Sequence, residues 1–290
     1  MRTLIYLLLA SSPVIGLPAG PAFAQEAVPT PERAVAREHH PWGSLEPGAW
    51  KRVRVLTEML DGKGLVQNTS ITETKTVLLA VEEDGVTLLL EVLHEVAGKR
   101  FAGEPKTIQQ GFHGELTCKD LKITSSEPGT FVLEGRKIPC KILRMECPGA
   151  TGKNVTDIYY SDAQDPYILK RESVSTDLDG KATLDKTTVE VLALDMPVRV
   201  MAETKRAAYV RAVRKLPTGT VTTWLVTSTD VPGGVISYSS KEVDQNGRLI
   251  RCSTLELTAY GLEPDEEWTG LFGRKRPLLR RKPILRPTPP

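Results

Sequence analysis

Short segments in which apolar and polar side chains alternate follow one another along most of this chain. In Val86–Val96, for example, Val86, Leu88 and Leu90 fall on one side of an extended backbone. A period of two is typical of strands buried on one face, whereas a helix repeats its apolar positions every three or four residues. Turn residues such as Glu82-Glu83-Asp84-Gly85 separate the segments. The pattern predicts an all-β fold: a curved antiparallel sheet, half-barrel or sandwich-like, of about nine strands followed by a shorter meander.

The same pattern gives the individual strands. They are predicted at Trp50–Leu56, Thr72–Val81, Val86–Val96, Leu116–Thr124, Thr130–Leu133, Ile138–Glu146, Val155–Ser161, Tyr167–Thr176 and Thr183–Met196. Turns are predicted between them, including one at Glu127-Pro128-Gly129 and one at Pro148-Gly149.

An internal repeat is the second constraint on the fold. Val155–Pro166 resembles Val221–Pro232, and a spacing close to 66 residues recurs further along the chain. The further matches pair Tyr167–Glu172 with Val235–Ser240, Asp179-Gly180 with Asn246-Gly247, and Val191–Asp195 with Leu257–Gly261. In this register Ala202–Leu216 aligns with Ile138–Glu146, which favours a strand there over the helix that its Ala, Arg and Lys content also permits. We therefore predict a main β domain over residues 42–197 and a homologous β-meander over 198–264.

The N-terminus has the features of a secretory signal peptide over residues 1–24. Arg2 supplies the positive charge, Leu4–Ala10 the apolar segment, and Ala22-Phe23-Ala24 a small-residue cleavage site. Export to the periplasm or the extracellular space is expected, and no later apolar segment is long enough to predict a transmembrane span in the mature form. Residues 25–41, rich in Pro and Glu, are predicted to be a disordered arm.

The C-terminal residues 265–290 are predicted to be a basic, Pro-rich, disordered tail, because dense proline favours an extended chain. Two interpretations are open: a solvated terminus, or a segment that contacts anionic surfaces through its charge. Its cations are Arg274, Lys275, Arg276, Arg280, Arg281, Lys282 and Arg286. The whole chain carries 38 basic and 36 acidic residues, so the body offers no general attraction to nucleic acid, and no specific nucleic-acid partner is expected.

Four cysteines, Cys118, Cys140, Cys147 and Cys252, permit up to two disulfides after export. Cys140 and Cys147 are seven residues apart on one predicted strand, so they face opposite sides and cannot pair with each other. Cys118 with either Cys140 or Cys147 is open, as are free buried thiols. The spacing matches no metal site, and no metal or other cofactor is predicted.

Candidate catalytic residues are scarce. His113 lies in a segment bracketed by glycines and is the best single candidate, His94 lies on a predicted strand, and His39-His40 lie in the predicted arm. No nucleophile elbow, phosphate-binding loop or dinucleotide motif is found. No catalytic residue is assigned, and the chain is predicted not to be an enzyme.

Four segments of the chain resemble uncharacterised secreted, β-rich bacterial proteins that are planctomycete-like. These segments are Gly135–Cys140, Tyr159–Asp162, Tyr167–Glu172 and Glu190–Asp195. The succession of strands is also similar to the curved half-barrel of periplasmic lipoprotein carriers. That resemblance covers roughly residues 48–197 and implies a concave apolar face. Carriers of this kind close the half-barrel with helices, whereas no amphipathic helix is found here, and no binding residue is carried over.

Three functions follow as hypotheses. The first is a non-catalytic binding or interaction protein of the cell envelope, whose partner is a hydrophobic ligand or an envelope protein. The second is a periplasmic carrier of a lipid or lipoprotein, which would have Leu88, Leu90 and Val92 around a void. The third is a secreted hydrolase, which would place His113 or His94 beside a carboxylate or a nucleophile in a cleft.

Overall fold

The computed structural model describes residues 35–113, 121–149 and 152–264 of the chain. Strands account for most of these residues, and the helical part of the described chain is one 3₁₀ turn at Arg37–His39. The strands are β1 Trp50–Leu60, β2 Val66–Val81, β3 Gly85–Val96, β4 Lys99–Ala102, β5 Lys106–Gly111, β6 Lys122–Leu133, β7 Arg136–Gly149, β8 Gly152–Tyr160, β9 Ile168–Asp177, β10 Thr183–Val200, β11 Glu203–Leu216, β12 Gly219–Thr227, β13 Val235–Asp244 and β14 Leu249–Gly261. The predicted all-β fold is confirmed, and the segment 202–216 is a strand. Within the described ranges, no helix has the length and hydropathy that crossing a membrane requires.

The described strands form one antiparallel sheet. Its spatial order is β4-β3-β2-β1-β14-β13-β12-β11-β10-β9-β8-β7-β6, and β5 also pairs with β3. The first strand of the chain pairs with the last, so β1–β3 extend the sheet beyond β14. The edges, β6 on one side and β4 with β5 on the other, do not pair with each other, and the sheet is not closed into a barrel.

Alternation decides which face of each strand is buried. On β3, Val86, Leu88 and Leu90 are each at most 8% exposed and pack with Trp42 and Leu78 in one apolar cluster. A second cluster joins the tip of the β6–β7 hairpin to β9–β11. Its buried members are Leu133, Ile138, Cys140, Leu169, Val191, Leu194, Ala208 and Val210. These two clusters lie on the inner side of a sheet that curls, as open sheets of more than about ten strands generally do.

Two sets of three consecutive strands match in length and spacing. Strands β7, β8 and β9 have the same lengths as β11, β12 and β13, and each begins 67 residues before its counterpart. The turns agree as well. Asp177 and Asp244 each accept backbone N–H groups in the turn that follows their strand, through the same side-chain oxygen, Oδ1. Two meanders with strands of matching length therefore follow one another within a continuous sheet, and their origin in a duplicated segment stays a prediction.

A third turn of the same design lies near the start of the sheet. Asp61 Oδ1 accepts the backbone N–H groups of Lys63 and Leu65, which lie two and four residues after it. Asp244 Oδ1 accepts the backbone N–H groups at the same two positions of its own turn. The hairpin β1–β2 therefore has the turn of β13–β14.

The structure corrects three details of the predicted organisation. Glu127-Pro128-Gly129 lies within β6 rather than in a turn, which proline permits because β6 is an edge strand and the unpaired side needs no N–H donor. Residue 197, the predicted domain boundary, lies inside β10, which pairs with β11 in the continuous sheet. Lys99–Ala102 and Lys106–Gly111 form two strands that were not predicted, since their mostly exposed side chains give no alternation.

Part of the predicted disordered arm is also corrected. Val35 and His40 are 1% and 6% exposed, because both pack on residues distant in the sequence. His39 stacks on Tyr167 at 3.6 Å between ring centroids, and its Nδ1 lies 2.5 Å from the hydroxyl of Tyr160. Residues 35–41 therefore belong to the folded body, whereas residues 1–34, including the predicted signal peptide, lie outside the described residues.

Candidate functional site

The curl of the sheet forms a half-open cavity of about 690 Å³. Strands β3 and β10 both line it, although six strands separate them in the sheet order. Apolar side chains line two parts of the wall. Near β3 and β5 these are Trp42, Leu88, Leu90, Ile108 and Phe112, and on β9–β11 they are Leu169, Val189, Val191, Leu194 and Val210. This volume falls within the roughly 300–1,000 Å³ that is usual for small-molecule sites.

The sequence analysis expected Leu88, Leu90 and Val92 around a void if the chain is a carrier. Leu88 and Leu90 line the cavity, whereas Val92 does not belong to its lining. The reason is that the part of β3 carrying Leu88 and Leu90 pairs with β5, which also contributes to the wall. From Leu93 onward β3 pairs with β4 instead.

Two equivalent loops of the repeat form part of the cavity wall. They connect β8 to β9 and β12 to β13, and Thr229 in the second donates a hydrogen bond to Asp165 Oδ2 in the first (2.8 Å). Burial is the largest cause that raises the pKa of Asp165, and the neighbouring Asp230 and Asp195 raise it further. Negative charge is thus concentrated on the Asp165 side of the cavity.

A basic side chain enters the cavity from β1. Lys51 is partly buried, and its Nζ donates to the backbone carbonyl of Gly233 (3.2 Å) and lies 5.7 Å from the centroid of the Trp42 ring. Burial lowers the pKa of Lys51 to about 8, and no neighbouring carboxylate offsets that effect. This lysine shares its face of β1 with Val53 and Val55, so it stands at a position where the alternation places apolar residues.

A second basic group lies near the N-terminal segment. The guanidinium of Arg171, which lines the cavity, donates to the backbone carbonyl of His113. Burial, and then the positive charge of Arg171, lower the pKa values of His40 and His113 to about 4. His40 Nδ1 accepts the backbone N–H of Trp42 (3.3 Å), so a neutral His40 holds the cavity residue Trp42 in place.

Arg214 and Asp185 form the ion pair of the cavity wall, with Arg214 Nε 2.6 Å and Nη2 2.5 Å from Asp185 Oδ2. Both side chains are less than a third exposed. Because each charge compensates the other, this pair gives the wall polarity without a net charge.

Within the described part of the chain, the histidines singled out from the sequence are not placed beside an acid in a catalytic arrangement. His113 Nε2 is buried and has no hydrogen-bond partner, and its charged neighbour is the cation Arg171. His94 Nδ1 lies 3.1 Å from the hydroxyl of Thr72 on the adjacent strand. Among the described residues, no group of three or more His, Cys, Asp or Glu is placed to hold a metal ion.

The structure gives the bonding state of three of the four cysteines. Cys147 is disulfide-bonded, whereas Cys140 and Cys252 carry free thiols. The suggested roles of Cys140 and Cys252 in disulfides are therefore wrong: Cys140 packs in the apolar cluster of β9–β11, and six strands separate its strand β7 from β14, which carries Cys252. Cys118 lies outside the described residues, so its pairing with Cys147 stays a prediction.

The predicted contacts with anionic surfaces also fall outside the described residues and stay a prediction. They involve Arg274, Lys275, Arg276, Arg280, Arg281, Lys282 and Arg286.

The cavity residues Lys51, Trp42 and Arg171 were not predicted from the sequence. For Lys51 a signal was present, because a charged residue shares a face with Val53 and Val55 in an otherwise regular alternation. Trp42 and Arg171 gave no such signal, since their place in the cavity depends on the curl of the whole sheet.

Comparison with known proteins gives structural neighbours only. No family model matches the chain, and no curated protein matches it. One solved structure is that of an inferred exported protein with a YmcC-like fold from Bacteroides fragilis, with 12% identity, a TM-score of 0.31, and coverage of 74% of this chain and 97% of that one. Another is an inferred lipoprotein from Parabacteroides distasonis, with 14% identity, a TM-score of 0.29, and the same two coverages. Likeness at these TM-scores supports no argument about the role of this chain, and the planctomycete-like resemblance stays a prediction.

Proposed function

We propose that this chain is an exported, non-catalytic binding protein of the cell envelope that holds a hydrophobic ligand inside its curled sheet. The observation that carries the proposal is the cavity of about 690 Å³, with apolar walls on β3 and β5 and, opposite them, on β9–β11. A packed interior would have argued against a carrier, because there would be no space for an acyl chain.

The composition of the wall supports a ligand rather than an accidental void. Interiors are normally packed with few voids larger than a water molecule. Here the curled sheet leaves a large space with Leu88, Leu90 and Val191 around it, each at most 8% exposed. About half of the residues that line the cavity are polar, so the site combines an apolar surface with polar groups, and small-molecule sites use such polar groups to orient a ligand.

Native mass spectrometry of the protein from its own cells, before and after organic extraction, tests the proposal directly. We expect a mass in excess of the polypeptide that extraction removes. An excess that resists extraction, or none in protein that also fails to bind an added apolar probe, would contradict a hydrophobic ligand.

A cavity-filling variant locates the binding. Leu90→Trp places an indole in the cavity, whereas Leu79→Trp adds the same side chain at a position on β2 that is 43% exposed. With the neutral fluorescent probe N-phenyl-1-naphthylamine, we expect Leu90→Trp to lose most of the binding and Leu79→Trp to keep it. Equal binding by both variants, each shown to be folded by circular dichroism, would place the ligand elsewhere.

A further inference from the structure

We propose that the ligand is an anionic amphiphile, whose carboxylate or phosphate head group is held between Lys51 and Trp42 while its apolar part lies against Leu88 and Leu90. This inference rests on the proposed function and adds to it the charge of the ligand and the place of its head group.

The geometry comes from the two side chains that approach Gly233 closely. A Cβ atom built on Gly233 would lie 2.6 Å from Trp42 Nε1 and 2.7 Å from Lys51 Nζ. An indole N–H and an ammonium group therefore converge on the same point of the cavity wall. Both are donors without acceptor capacity, a combination that suits an anionic oxygen.

The hydrogen-bonding state of the two donors points the same way. Lys51 Nζ has the Gly233 carbonyl as its hydrogen-bond partner, and within the described part of the chain no carboxylate forms an ion pair with it. Trp42 Nε1 likewise has no acceptor among those residues. An ammonium group away from bulk water is costly without an opposite charge, so an anionic head group would compensate Lys51.

The other charges of the wall favour the same orientation. Arg214 is already paired with Asp185. Asp165 and Asp195, which influence each other, would repel an anion from the loop between β8 and β9. Arg171 adds positive charge to the wall. Lys170 and Arg206 line the wall as well, and Lys51 is assigned the head group because a second donor, Trp42 Nε1, lies beside it at Gly233.

Three probes of equal chain length test the inference in the full mature protein at pH 6.5: decanoate, decyl phosphate and decan-1-ol, each measured by displacement of N-phenyl-1-naphthylamine. We expect one or both anions to bind at least about tenfold more tightly than the alcohol, as a hydrogen bond to a charged group allows. The anion that binds more tightly identifies a carboxylate or a phosphate as the natural head group.

Matched variants assign the effect to Lys51. Lys51→Met should weaken anion binding about tenfold and leave decan-1-ol unchanged, and Lys51→Arg should keep the preference for anions. Lys241→Met removes an exposed lysine from β13 and should change nothing. A folded Lys51→Met protein with the wild-type preference would overturn the role of Lys51.

The outcomes separate this inference from the proposed function. Equal affinity of the wild-type protein for all three probes overturns the anionic head group while leaving a hydrophobic ligand intact. If no probe displaces the dye, and the dye itself does not bind, both proposals are wrong. The comparison among probes uses unaltered protein, so it remains decisive even if the Lys51 variants fail to fold.

Discussion

The hydroxyl oxygens of Thr156 and Ser173 lie 2.9 Å apart across β8 and β9, and the hydroxyls of Thr223 and Ser240 lie 2.9 Å apart across β12 and β13. The second pair stands 67 residues after the first, at equivalent places in the two copies of the meander. Both threonines are nearly inaccessible, at 4% and 2% exposure. The two meanders therefore match in individual hydrogen bonds as well as in strand length.

Replacing either threonine by valine should destabilise the protein, because the shape is kept while the facing serine loses its partner. We expect Thr156→Val and Thr223→Val each to cost about 1–3 kcal/mol in the free energy of unfolding, measured by urea denaturation. Adding Ser173→Ala or Ser240→Ala should recover part of the loss, since no unpaired hydroxyl then remains. If only one of the two valine variants loses stability, the two hydroxyl pairs do not have equivalent roles.

Gly233 offers a second test, because a side chain there meets two obstacles. Its φ of +65° lies in the left-handed region, and a Cβ would approach Lys51 and Trp42 closely. We expect Gly233→Ala to reduce the free energy of unfolding by more than the roughly 1–2 kcal/mol of backbone strain and to displace these two side chains, so that probe binding falls.

Gly247 is the matched control for that substitution. Its φ is +78°, but nothing lies within 4 Å of its Cβ position. Gly247→Ala should therefore show the backbone cost alone and leave probe binding unchanged, both measured as for Gly233→Ala. If the two variants lose the same stability and bind equally well, the close approach at Gly233 has no consequence.

The architecture was predictable from the sequence where the information is local. Alternation on β3 gave its buried face, and turn residues such as Asp179-Gly180 and Asn246-Gly247 gave the repeat. The strand β11 was predictable only through that repeat, since its Ala, Arg and Lys content alone also suits a helix.

The candidate site depends on contacts that no local pattern encodes. Leu90 and Val191 meet around one cavity because the sheet curls through six intervening strands. His40 comes from a segment without periodicity, and its burial depends on Phe112, which is distant in the sequence. Pro128 suggested a turn because its tolerance within a strand depends on β6 being an edge, which is a property of the assembled sheet.

The cysteines allow a covalent test. Cys147 is disulfide-bonded and the other two described cysteines are free, so we expect Cys118, the remaining cysteine of the sequence, to be its partner. Peptide mapping without reduction should yield a Cys118–Cys147 peptide. Buried Cys140 should react with a thiol reagent only after unfolding, whereas partly exposed Cys252 should react earlier. A linked peptide containing Cys140 or Cys252 would contradict this assignment.

Acid should destabilise the protein through His40. Burial and the charge of Arg171 lower the pKa of His40 in the folded state to about 4, below the 6.5 expected when the chain is unfolded. Between these values the unfolded chain binds the proton and the folded chain does not, so stability is present above pH 6.5 and is lost as the pH falls towards 4. The loss attributable to His40 is on the order of 3 kcal/mol. Urea denaturation at pH 7 and at pH 4.5 measures it.

His40→Asn separates this histidine from other titrating groups, because the amide oxygen can still accept the Trp42 N–H but does not ionise. The variant should lose less stability than the wild-type protein over the same pH interval. His113, whose folded pKa is also about 4, retains its own contribution in that variant and accounts for part of the remaining slope. If the free energy of unfolding falls with pH equally in the two proteins, protonation of His40 has no effect on stability and the prediction is wrong.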